Sequence, residues 1–374
     1  MHSPFTLHKR RSKRFGAVYY MQARDESGRR LSALSTGETS KAAAQTWAVE
    51  YLRRGGSRQN QTFAQYAEER HWWEWGACLY CQGKVARDQS ISRNYADVRT
   101  SYLKNHVLPE IGDVKLCKIS PDLLERWQMR LLSEGRNSAT VNRVLGTVRI
   151  MLNEAVRLGF IGANPSSKVR DLHEKPKARG ILALEEMAAL FNEERIAEVW
   201  GGNIPMLSAS AGLREGEVRA LQLQDVHETS VSVVHSFGKY GLTHPKWGSS
   251  REIPVPIKTR RYLGDVIRQL EYQEPEDWVF AGRTQAEPVA VHVLVAYFER
   301  ALRAIGIDAE KRAERVLCFH SWRHGFNTYM RGRVPDAQLR RATGHKSITM
   351  TDTYDHAGAA ELADVLAVQE GLFQ

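Results

Sequence analysis

Four short stretches in the second half of the chain carry side chains suited to holding an anion and attacking it. In Ser210 to Val218 (SAGLREGEV), Gly212 breaks the preceding helix and a new one can run from about Arg214 through Leu221. Arg214 and Glu217 are three apart and share a face of it, while Val218 and Leu221 face the core. Alone, this would be a surface ion pair. Lys246 opens Lys246 to Pro254 (KWGSSREIP), between an alternating stretch at Val231 and Val233 and another at Ile253 and Val255, so it is expected at or near a hairpin tip. Alone, such a lysine is a solvated tip. In His320 to His324 (HSWRH), Trp322, Phe326, Tyr329 and Met330 make an apolar helical face, and His320 and Arg323 fall together on another side. His320 and His324 have the spacing of a zinc helix, but Ser321 stands where H-E-x-x-H needs its glutamate, so a metal is not expected. Finally Thr343-Gly344-His345-Lys346 is followed by Tyr354, nine residues after His345, among Thr and Asp side chains that leave it no apolar face to fill.

In this order the four stretches resemble the tyrosine recombinase (phage integrase) family. Its pattern is an Arg in a G-L-R-x-x-E box, a hairpin Lys, H-x-x-R, then G-H and a Tyr nine residues later. The matching positions are Arg214 and Glu217, Lys246, His320 and Arg323, His345, and Tyr354, spread over about 140 residues. The K-x-x-x-S-R-x-I-P form of the hairpin matches too, from Lys246 to Pro254.

The chemistry suits these residue types. A phosphodiester repels nucleophiles and gains charge on its non-bridging oxygens in the transition state. An arginine fork donates two parallel bonds to such oxygens and stays charged, so Arg214 and Arg323 can clamp the group, with His345 as a further donor. A tyrosine hydroxyl titrates near 10 when unperturbed, so Tyr354 needs a base, for which His320 is the candidate. The resemblance assigns protonation of the leaving 5′-oxygen to Lys246, and Glu217 is expected to orient His320 or the arginines. Tyr354 would then hold the DNA 3′-phosphate covalently, until a free 5′-hydroxyl reverses the step. No cofactor, metal or ATP is expected, and the chain has no G-x-x-x-x-G-K-[ST] loop.

The elements that must position these residues read as an α+β catalytic domain over 181–374, a helical core-binding domain over 60–172, and a small β-sheet-plus-helix domain over 1–56, giving a mainly α, multidomain fold with small sheets. Residues 173–180 (HEKPKARG) read as the linker. In the first segment Lys9 to Arg14 is a basic run expected as an arm, Phe15 to Arg24 and Arg30 to Thr36 read as strands about a turn at Glu26-Ser27-Gly28, and Ser40 as the cap of a helix through about Arg54. In the second, helical spacing runs through Phe63, Tyr66 and Ala67, through Tyr95, Val98, Tyr102 and Leu103, and on to a helix from Ser138 or Thr140 to Leu158; Leu108 to Gly112 reads as a loop. Arg93, Asn142 and Arg143, on polar helix faces, are the expected DNA contacts there. The resemblance implies that the second and third segments clamp DNA and that the first binds accessory arm sites. Leu362, Val365 and Leu366 form a stripe that packs on the chain's own body or, as the family suggests, on a neighbouring protomer.

Composition agrees with that partner. Lys and Arg number 53 against 43 Asp and Glu, a net charge of +10 and a pI near 9.4, which favours a polyanion such as nucleic acid. The 42% of hydrophobic residues suffices for buried cores, and neither a membrane span nor a signal peptide is legible, so a cytoplasmic protein is expected. Four cysteines are too few for a disulfide scaffold, and Cys78 with Cys81 forms a lone C-x-x-C, read as two ordinary thiols in a loop; zinc would need His71 and one ligand more. The expectation is therefore an integrase acting on double-stranded DNA attachment sites as a homo-tetramer, serving a mobile element such as a prophage or genomic island. A DNA-bending host factor and an excisionase are the accessory partners it allows. Alternatives are a DNA-binding regulator with lost catalysis, a type IB topoisomerase-like relaxase and, more remotely, a zinc-dependent nuclease.

Overall fold

In the computed structural model, residues 5–12, 16–23, 30, 33–53, 60–175, 179–192, 203–245, 248–344 and 362–373 are described. Lys246, His345 and Tyr354 lie outside the described residues, as do the expected turn at Glu26-Ser27-Gly28 and residues 176–178 of the expected linker. The chain forms two compact units, Met1–Lys175 and Pro176–Gln374.

The first unit opens with an antiparallel sheet of β1 (Phe5–Ser12), β2 (Gly16–Ala23) and β3 (Leu34–Ser35), followed by helix α1 (Lys41–Arg53). The register Phe5↔Ala23 and Leu7↔Met21 puts apolar side chains on one face, where they close over Ala48 of α1. Ser40 caps α1 by accepting from the Ala43 N–H at 3.1 Å. Lys9, Arg10 and Arg11 of the expected arm belong to β1, paired with Tyr19, Val18 and Ala17. Cross-strand aromatics explain this, because the Lys9 ammonium sits 5.6 Å from the Tyr19 ring centre and the Arg10 guanidinium 5.3 Å from that of Tyr20.

The helical part comprises α2 (Phe63–Glu69), α3 (Leu79–Ala86), α4 (Arg93–Tyr102), α5 (Leu108–Ile111), α6 (Pro121–Ser133) and α7 (Ser138–Arg157). Thr62, Ser92, Ser120 and Asn137 cap four of these helices through side-chain oxygens. The expected loop at Leu108 to Gly112 is instead helical: a π-helical stretch, Leu103–Val107, carries α4 into α5, and Pro109 fits the first turn, where its missing N–H costs nothing. The expected face of α4 is corrected in part: Leu103 enters the core and Tyr102 packs against it as expected, but Ala96 turns inward while Tyr95 and Val98 are exposed. Cys78 and Cys81 are not loop thiols but belong to that core beside Trp72 and Trp73, and His71 pairs with Glu74 on the surface. Among the described residues, no three His, Cys, Asp or Glu side chains gather as metal ligands.

The second unit contains α8 (Leu184–Leu190), α9 (Asn203–Ala211), α10 (Glu215–Arg219), β4 (Ser230–Val233), β5 (Ser236–Gly238), β6 (Gly241–Thr243), β7 (Arg251–Pro254), α11 (Ile257–Arg268), α12 (Val291–Ala304), α13 (Ala309–Glu314), α14 (Ser321–Met330), α15 (Asp336–Thr343) and α16 (Ala363–Leu372). Antiparallel β4 and β7 pair Val231 with Ile253, and both side chains enter a core that includes Val218, Phe298 and Trp322. The connection between them carries a second hairpin, β5–β6, turning at Lys239 and Tyr240. Leu362, just ahead of α16, and Val365 within it pack on Phe326, Met330 and Leu339 of the same chain, with Leu366 half-buried. Gln369 holds the helix by donating to the carbonyls of Ser210 at 2.6 Å and Pro254 at 3.1 Å. No described helix is long and apolar enough to cross a membrane.

Candidate active site

Two glycines shape the backbone of the candidate site. Gly212 ends α9 in the left-handed region (φ +62°), and a Cβ there would stand 2.6 Å from the Phe326 ring. This turn sets Arg214 just ahead of α10. Gly344 likewise caps α15 at φ +63°, lying so close to Ser249 and Arg251 that a Cβ would meet Ser249 Oγ at 2.9 Å and Arg251 Nη1 at 3.2 Å.

Glu217 is the centre of the cluster. Its side chain is 1% exposed, so the pair with Arg214 is no surface ion pair. One carboxylate oxygen accepts from Arg214 Nη1 at 2.7 Å, and the other accepts from the Arg214 backbone N–H at 2.9 Å. Arg251, which motif reading passed over, donates from Nη2 at 2.7 Å and from Nη1 at 3.2 Å to the same carboxylate. Burial alone would push this carboxyl up. The Arg251 guanidinium first, and Arg214 after it, overcome that and hold it at about 2. The signal for Arg251 was present in the S-R-x-I-P run, but its partner lies 34 residues away.

Arg323 is equally buried. It donates from Nη1 to the Gly212 carbonyl at 2.7 Å and from Nη2 to the Thr343 carbonyl, so the backbones flanking the first and last motifs fix its guanidinium. Burial, then the charge of Arg214, pushes it down to about 9, which leaves it protonated at neutral pH. His320 begins α14 and meets His324 edge to face at 4.9 Å between ring centres. Burial first, then His324, Arg179, Arg323 and Arg214, depresses its imidazole to about 4, so it is neutral at physiological pH. Glu217 thus orders the arginines, and no hydrogen bond between it and His320 is among those of the described residues.

Arg214, Glu217, His320 and Arg323 are thereby gathered in one cluster, with Arg251 added. Gly344 ends beside it, immediately before His345. The expected DNA contacts lie in the first unit. Arg93 and Arg143 are exposed, on α4 and α7. The Asn142 amide is engaged within the chain, donating to the Leu172 carbonyl and Glu174 carboxylate at 2.9 Å each and accepting from the Leu172 N–H at 2.9 Å.

Residues 181–361 match the model of the phage integrase family, and residues 84–132 match that of the phage integrase N-terminal SAM-like domain. A tyrosine recombinase XerC-like protein of Caldanaerobacter subterraneus subsp. tengcongensis is 22% identical over 98% of this chain and 99% of its own. A putative integrase of Pseudomonas phage Pf1 is 26% identical over 65% of each. Among solved structures, a lambda integrase tetramer bound to a Holliday junction superposes with TM-score 0.59 at 16% identity, over 95% of this chain and 99% of that one. The Tn1549 transposon integrase with a circular-intermediate DNA gives 0.59 at 19% identity, over 72% and 91%.

Proposed function

Since the chain belongs to the phage integrase family of tyrosine site-specific recombinases, we propose that it cuts and rejoins duplex DNA at attachment sites through Tyr354 and a 3′-phosphotyrosyl intermediate. The observation that carries this reading is the buried carboxylate of Glu217, which holds Arg214 beside a second, backbone-fixed arginine, Arg323. Two ordered guanidiniums with a neutral imidazole next to them suit a phosphodiester, whose non-bridging oxygens gain charge as it is attacked.

In the proposed step the Tyr354 oxygen bonds to phosphorus and the bond to the 5′-oxygen breaks. His320 takes the phenol proton, and Lys246 gives a proton to the leaving oxygen. An imidazole held near 4 by burial and surrounding cations is a poor acceptor. The phosphate anion entering between those cations offsets their charge and raises it toward the working pH. His345 adds a donor to the same oxygens. A 5′-hydroxyl from a partner strand then attacks the phosphotyrosine and restores the diester.

The further proposals are assembly as a homo-tetramer on DNA and service to a mobile element, integrating it and, with an excisionase and a DNA-bending host factor, excising it. Arg93 and Arg143 contact core-site DNA, whereas the Asn142 amide is spent on Leu172 and Glu174. The β1–β2–β3 sheet, with Lys9, Arg10 and Arg11 along β1, binds arm sites. The alternative readings are a regulator without cleavage and a type IB topoisomerase-like relaxase. Genomic fragments flanking the gene, incubated with the protein in EDTA and then denatured, should yield a covalent protein–DNA adduct. Tight, salt-sensitive binding with no adduct would favour the regulator.

A further inference from the structure

We propose that Arg251 is a positioning residue for strand cleavage, holding Arg214 and the segment that leads into His345 in a single geometry; this rests on the recombinase reading above. Arg251 is the first residue of β7. Its neighbour two positions on, Ile253, is fully buried, and strand alternation sends both side chains to the same inward face. A guanidinium with 6% of its side chain exposed therefore occupies a place where an aliphatic residue would be ordinary. Burying it is costly unless every donor is used.

The donors are used on two distant stretches of chain and on the segment that leads into β7 itself. The fork grips Glu217, the residue that also holds the Arg214 side chain and backbone. Nε donates at 2.8 Å to the carbonyl of Ala342, in the last turn of α15. Nη1 further reaches the Ser249 carbonyl at 3.3 Å, within the hairpin segment that begins at Lys246. The Gly344 turn then comes close to this guanidinium, where a Cβ would stand 3.2 Å from Nη1. One side chain thus ties together the segments bearing the first arginine, the hairpin lysine and the second histidine. A core needing only stability could dispense with the Arg251–Glu217 pair in favour of apolar packing. The planar fork is what an ammonium cannot reproduce.

The test uses whichever duplex fragment forms the Tyr354-dependent adduct with the full chain. Arg251→Lys keeps the charge and loses the fork. It should keep duplex affinity within about twofold, while single-turnover adduct formation, measured well below its melting transition, slows by about 100-fold, the cost of a small misplacement. Arg251→Gln removes one of the cations facing Glu217 and leaves Arg214 and Arg323. The acid limb of its cleavage–pH profile should move upward by roughly one pH unit or more. Wild-type cleavage in Arg251→Lys would overturn the inference. So would a loss that follows the melting temperature while the acid limb of either variant stays in place. Absence of an adduct with wild type is a different failure, which overturns the recombinase reading itself and this inference with it.

Discussion

Arg323 on α14 donates from Nη1 to the carbonyl oxygen of Gly212 at 2.7 Å, across 111 residues of sequence. Its other terminal nitrogen reaches the Thr343 carbonyl. A guanidinium aimed by two main-chain carbonyls cannot follow side-chain motion, which is the preorganisation that a phosphate clamp requires. Arg323→Lys retains a charge but cannot bridge both carbonyls. Its cleavage rate should fall by about 10²–10³-fold, with duplex affinity nearly unchanged. Quench-flow adduct formation beside an equilibrium binding titration checks this, and equal losses in both would show that Arg323 serves binding instead.

Gly212 is the second half of that relationship. Its φ of +62° and the 2.6 Å approach to Phe326 leave no room for a side chain. Gly212→Ala should lose about 2–5 kcal/mol of unfolding free energy, combining left-handed strain with overpacking. Urea unfolding measures it, and a loss under about 0.5 kcal/mol, the range of neutral surface changes, would contradict the account.

The depressed His320 imidazole makes stability depend on pH. The folded value of about 4 lies below the ordinary 6.5, so the unfolded chain binds the proton first. Stability therefore falls as pH drops from about 6.5 toward about 4, and His320 contributes no slope above that window. Glu217 acts lower: its stabilisation is complete above 4.5 and is lost as pH falls through about 2. His324, also depressed by burial, adds to the His320 slope. His320→Gln should flatten, without abolishing, the decline between pH 6.5 and 4. An unchanged curve would mean that His320 is not desolvated.

The readings from sequence divided along a physical line. The motif residues Arg214, Glu217, His320 and Arg323 were legible because spacing along single helices and turns fixes their faces. Arg251 was not, because its role depends on β7 register and on Ala342, 91 residues away. The β5–β6 hairpin was missed because three-residue strands are too short to show alternation. Lys9, Arg10 and Arg11 read as a basic arm rather than as a strand because their partners, the β2 aromatics, appear only across the sheet. The face of α4 was misassigned because small Ala96, rather than Tyr95, turns inward.

Arg143, exposed on α7, tests the binding half of the account. Arg143→Gln should weaken duplex binding regardless of sequence and lower the slope of log K against log salt by about 0.9, one phosphate contact. Anisotropy titrations at several salt concentrations measure this, and an unchanged slope would remove Arg143 from the interface.

The central claim is that Tyr354 carries the DNA, and the most direct measurement is the covalent trap with wild type and Tyr354→Phe side by side. The account predicts a metal-independent 3′-linked adduct in wild type, nucleotide on the Tyr354 peptide by mass spectrometry, and no adduct with intact duplex binding in the variant. An adduct that persists in Tyr354→Phe, or that maps to another residue, would contradict it.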